Sequence, residues 1–165
     1  MPESHADLSA SQLLGDIVGL MLRSKLHRRW PLANIEQYVY PALHHGQFRL
    51  IHRERKTIGY VSWAWLSQEV EDRYLAGGYQ LALDDWKSGD LPWIIDFVAP
   101  YGDIDLIRKL LREQRIFPRP VKAIRPDKNG KGQIVMQFGF PEARRKYQWK
   151  TRRINVPRPP RNGAA

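Results

Sequence analysis

Apolar residues recur at helical spacing near the start of the chain, and this pattern predicts two helices. The first spans Ser9–Arg23, and its apolar positions are Leu13, Leu14, Ile17, Val18 and Met21. The second begins at Pro31, and its apolar positions are Leu32, Ile35, Val39 and Leu43. Pro41 should kink or shorten this helix, because proline has no N–H to donate, and His45-Gly46 should end it.

From Gln47 onwards the pattern becomes typical of strands. Gln47–His52 and Thr57–Leu66 are rich in β-branched and aromatic residues and predict a hairpin. Ser67 can cap a helix that extends to Leu75. Trp93–Val98 is mostly apolar, as expected of a strand that is buried in a sheet.

The rest of the pattern completes an α/β fold. Asp103 can cap a helix that runs to Gln114, and strands are predicted over Val121–Arg125 and Gln133–Phe138. Two N-terminal helices therefore precede the order β-β-α-β-α-β-β, which predicts a sandwich with a mixed central sheet flanked by helices. Residues 1–140 form one predicted domain, and residues 141–165 form a basic Arg/Pro-rich tail that is expected to fray.

Composition narrows the class of protein. A chain of 165 residues is typical of one domain, and the absence of cysteine excludes disulfides, cysteine zinc sites and thiol nucleophiles. No apolar run is long enough to predict a membrane span. The first residues carry acid where a secretory signal carries base, so we expect a cytoplasmic protein.

Charge is unevenly distributed along the chain. Residues 1–105 contain 10 Lys and Arg against 14 Asp and Glu, whereas residues 106–165 contain 17 against 3. The basic part could bind nucleic acid, anionic lipid or an acidic protein, and charge alone does not choose among them.

Two side chains stand in unusual contexts. His27 lies in the connector between the two predicted helices, and loops held by rigid elements often carry reactive groups. Asp96 interrupts the apolar strand Trp93–Val98, where regular alternation would place it on the face of Ile94 and Val98. Because an unpaired buried carboxylate is costly, Asp96 either forms a salt bridge with an arginine or orients a histidine.

Two common kinds of site are not predicted. The histidines lack the spacing of a metal site, so no metal is expected. The strand-to-helix junction Ala99–Asp103 lacks the Arg/Gln-x-x-Gly-x-Gly run that holds the coenzyme A pyrophosphate in common N-acetyltransferases. An acidic residue at this junction would also repel phosphate.

Four motifs taken together resemble one protein family. They are Ser24–Pro31, Tyr60–Leu66, Asp85–Asp90 and Trp93–Asp103. In this order they are similar to the toxin-activating lysine acyltransferases, which fatty-acylate RTX protoxins. The resemblance extends over residues 12–140 and does not include the Arg/Pro-rich tail.

The resemblance implies a GNAT-like acyltransferase fold and a specific activity. The enzyme would transfer a fatty acyl group from acyl carrier protein to internal lysines of an RTX-type protoxin, without a tightly bound cofactor. His27 matches the family's catalytic histidine, Asp96 its catalytic aspartate, and Ser24 a serine close to that histidine. Direct transfer is expected, because the chain has no cysteine and no base is predicted beside Ser24.

Further site residues follow from the same resemblance. Tyr38 occupies a position where family members carry asparagine, and it is a candidate for substrate binding together with Ser24 and Trp63. The Trp63 ring could wall an acyl channel or pack in the core. Acyl carrier proteins are acidic, and a basic surface would steer them. The candidate docking residues, on the helix after the Asp96 strand, are Arg108, Lys109, Arg112 and Arg115.

Two other functions and a homodimer stay open at this stage. The basic residues 106–165 could form a nucleic-acid-binding module, although nucleic acid is the less favoured partner. A GNAT-like enzyme could instead use acyl-CoA on a small amine, but the missing pyrophosphate motif argues against it.

Overall fold

The centre of the protein is one mixed β-sheet. In this computed structural model, which describes residues 9–126, 133–138 and 150–156, the strands are β1 Phe48–Arg53, β2 Lys56–Leu66, β3 Leu91–Val98, β4 Val121–Pro126, β5 Gln133–Phe138 and β6 Lys150–Val156. They lie side by side in chain order. Neighbouring strands are antiparallel, apart from the parallel pair β3 and β4. The predicted α/β fold is confirmed, and it is consistent with a GNAT-like sandwich.

Helices cover both faces of this sheet. They are α1 Ala10–Met21, α2 Tyr40–His45, α3 Gln68–Ala76 and α4 Ile104–Glu113. The predicted Ser67 cap is present, and Ser9 caps α1 in the same way, because their hydroxyls each accept a backbone N–H at 3.3 Å. Asp103 precedes α4 but does not cap it, since its carboxylate instead binds the Arg53 guanidinium. Among the described residues, no helix combines the length and apolar character needed to cross a membrane.

The predicted second helix is irregular before α2, close to the proline that was expected to kink or shorten it. A π-helical turn, Ile35–Val39, comes directly before α2, and Pro41 lies in the first turn of α2. A proline ring clashes with the carbonyl four residues earlier, and the wider π turn relieves such a clash. Gly46 then ends α2 in the left-handed conformation, with φ of 65°.

The two faces of the sheet have separate apolar cores. Alternation along β2 places Tyr60 and Ala64 on one face, with α1, and Val61 and Trp63 on the other, with α4. We call these the α1 face and the α4 face.

Strand β3 departs from regular alternation next to Asp96. Ser62 pairs with Asp96 but Trp63 pairs with Ile94, so Ile95 is an extra residue in β3. A bulge of this kind turns the side chain that follows it to the other face. Asp96 therefore shares the α1 face with its partner Ser62. The prediction that it shares a face with Ile94 is wrong.

The parallel strands β3 and β4 diverge close to the bulge. Their ladder consists of the pairs Trp93 with Lys122 and Ile94 with Ala123. Beyond these pairs the strands continue to Val98 and Pro126 without further pairing to each other among the described residues. Asp96 lies on the diverging part of β3.

Part of the predicted tail belongs to the sheet. Lys150–Val156 forms β6, which is antiparallel to β5. The prediction of a frayed tail is wrong for these residues, because their backbone takes part in the sheet ladder. Residues 141–149 and 157–165 lie outside the described residues, and the boundary at residue 140 stays a prediction.

Candidate active site

A buried histidine–aspartate pair connects the segment after α1 to β3. His27 Nε2 lies 2.8 Å from Asp96 Oδ1, and the two residues are only 6% and 7% exposed. The same carboxylate oxygen accepts the Phe97 N–H at 2.9 Å. A carboxylate oxygen accepts here, so the tautomer that fits this contact has its hydrogen on Nε2 of His27 and a lone pair on Nδ1.

The free nitrogen of His27 faces a hydroxyl. Ser24 Oγ lies 2.6 Å from His27 Nδ1 and accepts the His27 backbone N–H at 3.4 Å. Since Nδ1 accepts, the Ser24 hydroxyl donates to it. The structure thus places beside Ser24 a base that the sequence alone did not demonstrate. The reason is local: the chain turns tightly into the 3₁₀ turn His27–Arg29, which brings residues three apart onto the same side.

Aromatic rings hold the imidazole in place. The Trp30 ring centre lies 4.6 Å from that of His27 and 5.3 Å from that of Tyr38. Tyr38 lies in the π-helical turn before α2. Burial raises the pKa of its hydroxyl above the usual range, and the negative charge of Asp96 adds to this effect. The Tyr38 hydroxyl therefore keeps its proton, and its role in substrate binding stays a prediction.

Three buried polar groups lie close together near Asp96. They are the Tyr60 and Ser62 hydroxyls and Asp96 Oδ2, and none makes a hydrogen bond of ordinary geometry among the described residues. Tyr60 and Ser62 are both 0% exposed and lie on the α1 face, Ser62 directly across from Asp96. Burial raises the pKa of Tyr60 well above its usual range, against the opposing effect of the neighbouring Ser62 hydroxyl, so the Tyr60 hydroxyl stays neutral. Asp96 Oδ2 is therefore the member of this cluster with the most capacity to accept a further hydrogen bond.

Sequence reasoning missed this cluster, although one signal was available. Ser62 stands inside an apolar strand, as Asp96 does, and alternation in β2 places it on the same face as Tyr60. Only the pairing of β2 with β3 shows that it faces Asp96.

The structure does not bring Trp63 to His27. Trp63 is 5% exposed on the α4 face, and its ring centre lies 5.6 Å from that of Phe117. Because β2 alternates regularly here, a side chain next to Ser62 must point away from Asp96. The predicted substrate-binding role of Trp63 is thus unsupported by its position, which is that of a core residue.

The predicted docking cations also lie on the α4 side of the sheet. Arg108 and Lys109 face acidic side chains of α4 itself, at 3.3 Å from Asp105 and 3.9 Å from Glu113. Arg112 is in the last turn of α4, and Arg115 follows it. The structure places these four residues apart from His27, and their binding of a carrier protein stays a prediction.

The arrangement as a whole can remove a proton from an attacking nucleophile. In such a step Nδ1 of His27 would be the base, and Asp96 would fix the tautomer and stabilise the imidazolium that forms. The nucleophile could be the Ser24 hydroxyl or an amine that takes its place at Nδ1. The site lies where β3 and β4 diverge.

Comparison with known proteins agrees with this chemistry. Residues 6–139 match the RTX toxin acyltransferase family. The chain is 39% identical over 130 residues to the RTX-II toxin-activating lysine-acyltransferase ApxIIC of Actinobacillus pleuropneumoniae, covering 77% of this chain and 80% of the relative. It is 38% identical over 126 residues to the protein-lysine myristoyltransferase RtxC of Kingella kingae, with 76% and 74% covered.

A third relative shows the same relationship. The protein-lysine myristoyltransferase HlyC of Escherichia coli is 39% identical over 117 residues, with 70% of this chain and 68% of the relative covered. The family match includes all four motifs and ends before the Arg/Pro-rich tail. The chain therefore belongs to the RTX toxin acyltransferase family and is an acyltransferase.

Proposed function

We propose that this protein transfers a fatty acyl group from acyl carrier protein to internal lysine side chains of an RTX-type protoxin, in the cytoplasm, and thereby activates the toxin. The observation that carries the proposal is the buried His27–Asp96 pair, whose remaining ring nitrogen is directed at a hydroxyl. The names of the relatives support lysine as the acceptor and a fatty acyl chain as the transferred group.

The acceptor lysine requires a base. Its ordinary pKa is about 10.4, so only about one side chain in 10³ is a free amine at pH 7. In the proposed step, His27 Nδ1 takes a proton from the amine as nitrogen attacks the thioester carbonyl. The C–N bond forms, the C–S bond breaks, and the imidazolium returns the proton to the leaving thiolate. Asp96 stabilises the imidazolium through its bond to Nε2.

Ser24 takes part in this step because its hydroxyl is hydrogen-bonded to Nδ1 of His27. In direct transfer it relays the proton from the amine to the ring. The short Ser24–His27 hydrogen bond also supports a second route, in which Ser24 Oγ attacks the thioester first and the lysine then cleaves the serine ester. We favour the direct route as the simpler proposal, and the two routes predict different covalent products.

The divergence of β3 from β4 is the proposed entry for the thioester. Backbone N–H groups of the diverging strands are suitable donors for the oxyanion of the tetrahedral intermediate. No tightly bound cofactor is required, since the donor is a co-substrate. The acidic carrier would dock on α4 through Arg108, Lys109, Arg112 and Arg115.

Substitution of the pair tests the proposal. His27→Gln should lower lysine acylation by about 10²–10⁴-fold, the usual contribution of a positioned base. Asp96→Asn keeps the shape but removes the charge that stabilises imidazolium, and should also lower it strongly. The measurement is mass spectrometry of acyl-lysine in a protoxin that is co-expressed with each variant.

A control must show that the loss of acylation does not come from unfolding. Circular dichroism and thermal melting should show that both variants are folded, and Arg55→Gln, a substitution in the exposed β1–β2 turn, should acylate normally. Acylation near the unsubstituted level in both site variants would contradict the proposed role of the pair.

A further inference from the structure

A basic and apolar surface adjoins the reactive histidine. We define the 22–32 surface by the exposed leucines and cations of this segment, which are Leu22, Arg23, Lys25, Leu26, Arg28, Arg29 and Leu32. The three leucines are 60%, 56% and 87% exposed. The half-buried Ser24 and the buried His27 belong to the same segment, so the surface adjoins the reactive groups.

The charges of this surface are not neutralised by the part of the chain that the structure describes. Residues 22–32 contain four cations and no acidic residue. None of the salt bridges between described residues involves these four cations. On α4, by contrast, Arg108 and Lys109 each lie near a carboxylate of their own helix. The 22–32 surface is therefore the basic surface with more capacity for an external acidic partner.

The combination of leucines and cations has the composition of a protein interface. Large apolar side chains exposed next to one another commonly mark an interaction site, and an apolar centre with a polar rim is typical of protein–protein interfaces. An occupant of this surface should therefore offer apolar and acidic side chains.

We infer that the 22–32 surface binds the acceptor protein, through a segment in which the target lysine is flanked by acidic and apolar residues. The inference rests on the proposed function. Because Ser24 and His27 adjoin the surface, a protein chain that covers it can present its lysine to them, which a lipid surface does not. The acyl carrier is then left with the α4 side of the sheet, so both substrates can be bound at once.

The same charges serve the chemistry of the lysine. Acidic flanking residues bring the acceptor to the surface by complementary charge. Any cation of the surface that the flanking carboxylates do not pair with disfavours the ammonium form of the lysine and lowers its pKa. The surface would therefore select the acceptor by its flanking residues and promote the free amine that His27 needs.

Three peptides with one central lysine test this inference. They carry Leu and either Glu, Gln or Arg on both sides of the lysine, and they are incubated with the full chain and an acyl–acyl carrier protein. Mass spectrometry gives kcat/KM for each peptide. We expect the Glu peptide to exceed the Gln peptide by about tenfold, equivalent to about 1.4 kcal/mol, and this ratio should fall with added salt.

A charge-neutralised enzyme separates recognition from damage to the site. Arg23→Glu combined with Arg29→Glu leaves Lys25 and Arg28, so it should abolish the preference for the Glu peptide and make the three peptides similar acceptors, while KM for the acyl donor is unchanged. Arg55→Glu makes the same kind of change in the exposed β1–β2 turn and should keep the original order. A merely structural role of the arginines would lower activity on all three peptides equally.

Other outcomes overturn the inference. Equal acylation of the three peptides by the unsubstituted enzyme would refute the charge selection, provided that lysine is acylated at all. The enzyme could instead acylate the three peptides equally and bind anionic phospholipid vesicles. If Arg23→Glu with Arg29→Glu abolished that vesicle binding, the surface would be identified as a lipid-binding surface. Failure to acylate any lysine, in the peptides or in a co-expressed protoxin, would reject the proposed function itself.

Discussion

Asp96 determines which nitrogen of His27 is free to react. Its Oδ1 takes the hydrogen of Nε2 and is itself held by the Phe97 N–H, so the ring cannot rotate without losing a buried hydrogen bond. The remaining nitrogen, Nδ1, points at Ser24. The choice between direct transfer and a serine ester therefore depends on one hydroxyl.

Ser24→Ala tests that choice. In direct transfer it should slow acylation by about tenfold, the kinetic equivalent of one hydrogen bond, and Ser24→Thr should restore most of the rate. Intact-mass measurement of the unsubstituted enzyme with acyl donor and no acceptor should show no covalent adduct. A fatty acyl ester on the peptide that contains Ser24, and complete inactivity of Ser24→Ala, would establish the two-step route instead.

At the scale of elements, close backbone packing fixes the segment that leads into β3. A Cβ on Gly89 would lie 2.5 Å from the Leu66 carbonyl oxygen and 2.5 Å from Ser67 Cα. These are backbone atoms that cannot move aside, and the Gly89 N–H is bonded to the Trp65 carbonyl at 3.0 Å. Glycine at this position lets the chain run against the end of β2 before it enters β3.

Two glycine substitutions should change stability in opposite directions. Gly89→Ala should lower the free energy of unfolding by about 1–3 kcal/mol, as overpacking does. Gly19→Ala, on the exposed side of α1 where a Cβ would meet nothing within 4 Å, should raise it by about 0.5–1 kcal/mol. Urea denaturation measures both, and equal stability of the two variants would show that the contact at Gly89 is not restrictive.

At the scale of the whole molecule, one buried carboxylate holds together the point from which β3 and β4 diverge. Glu71 of α3 is 4% exposed. It accepts the Trp93 Nε1–H at 2.7 Å and the Lys122 ammonium at 2.7 and 2.8 Å. Trp93 and Lys122 are paired residues of β3 and β4. The helix is thus joined to both strands at the closed end of the proposed thioester entry.

Removal of this carboxylate should destabilise the fold. Glu71→Ala leaves the Trp93 N–H and the Lys122 ammonium without their acceptor, and we expect a loss of about 3–5 kcal/mol in the free energy of unfolding. Glu69→Ala is the matched control on the same helix, because the Glu69 side chain is 85% exposed and 3.9 Å from Arg73. Its effect should be about 0–1 kcal/mol. Thermal denaturation compares the two, and similar melting curves would contradict the role of Glu71.

The basic surface next to the candidate site does not lie in the part of the sequence that has the excess of Lys and Arg. The excess of Lys and Arg lies in residues 106–165, and the four docking residues were predicted there. The 22–32 surface lies in the part with more acid than base, and it is distinct because its cations are exposed side by side without acidic neighbours. A count of charged residues over residues 1–105 does not reveal such a surface, because it also includes carboxylates that lie elsewhere in the chain.

The sequence by itself determined most of the elements and the fold class, and its family motifs singled out His27 and Asp96, whereas the contact between these two residues is long-range and is shown by the structure. Helical and strand periods depend on neighbours in the chain, and the motifs around His27 and Asp96 are contiguous, so both can be read without a structure. The face of Asp96, the contact of Ser24 with Nδ1, the core position of Trp63 and the strand β6 were decided by the tertiary structure alone. Each of these depends on how distant segments pair or on how a turn closes, and a bulge of one residue is enough to change which side chains meet.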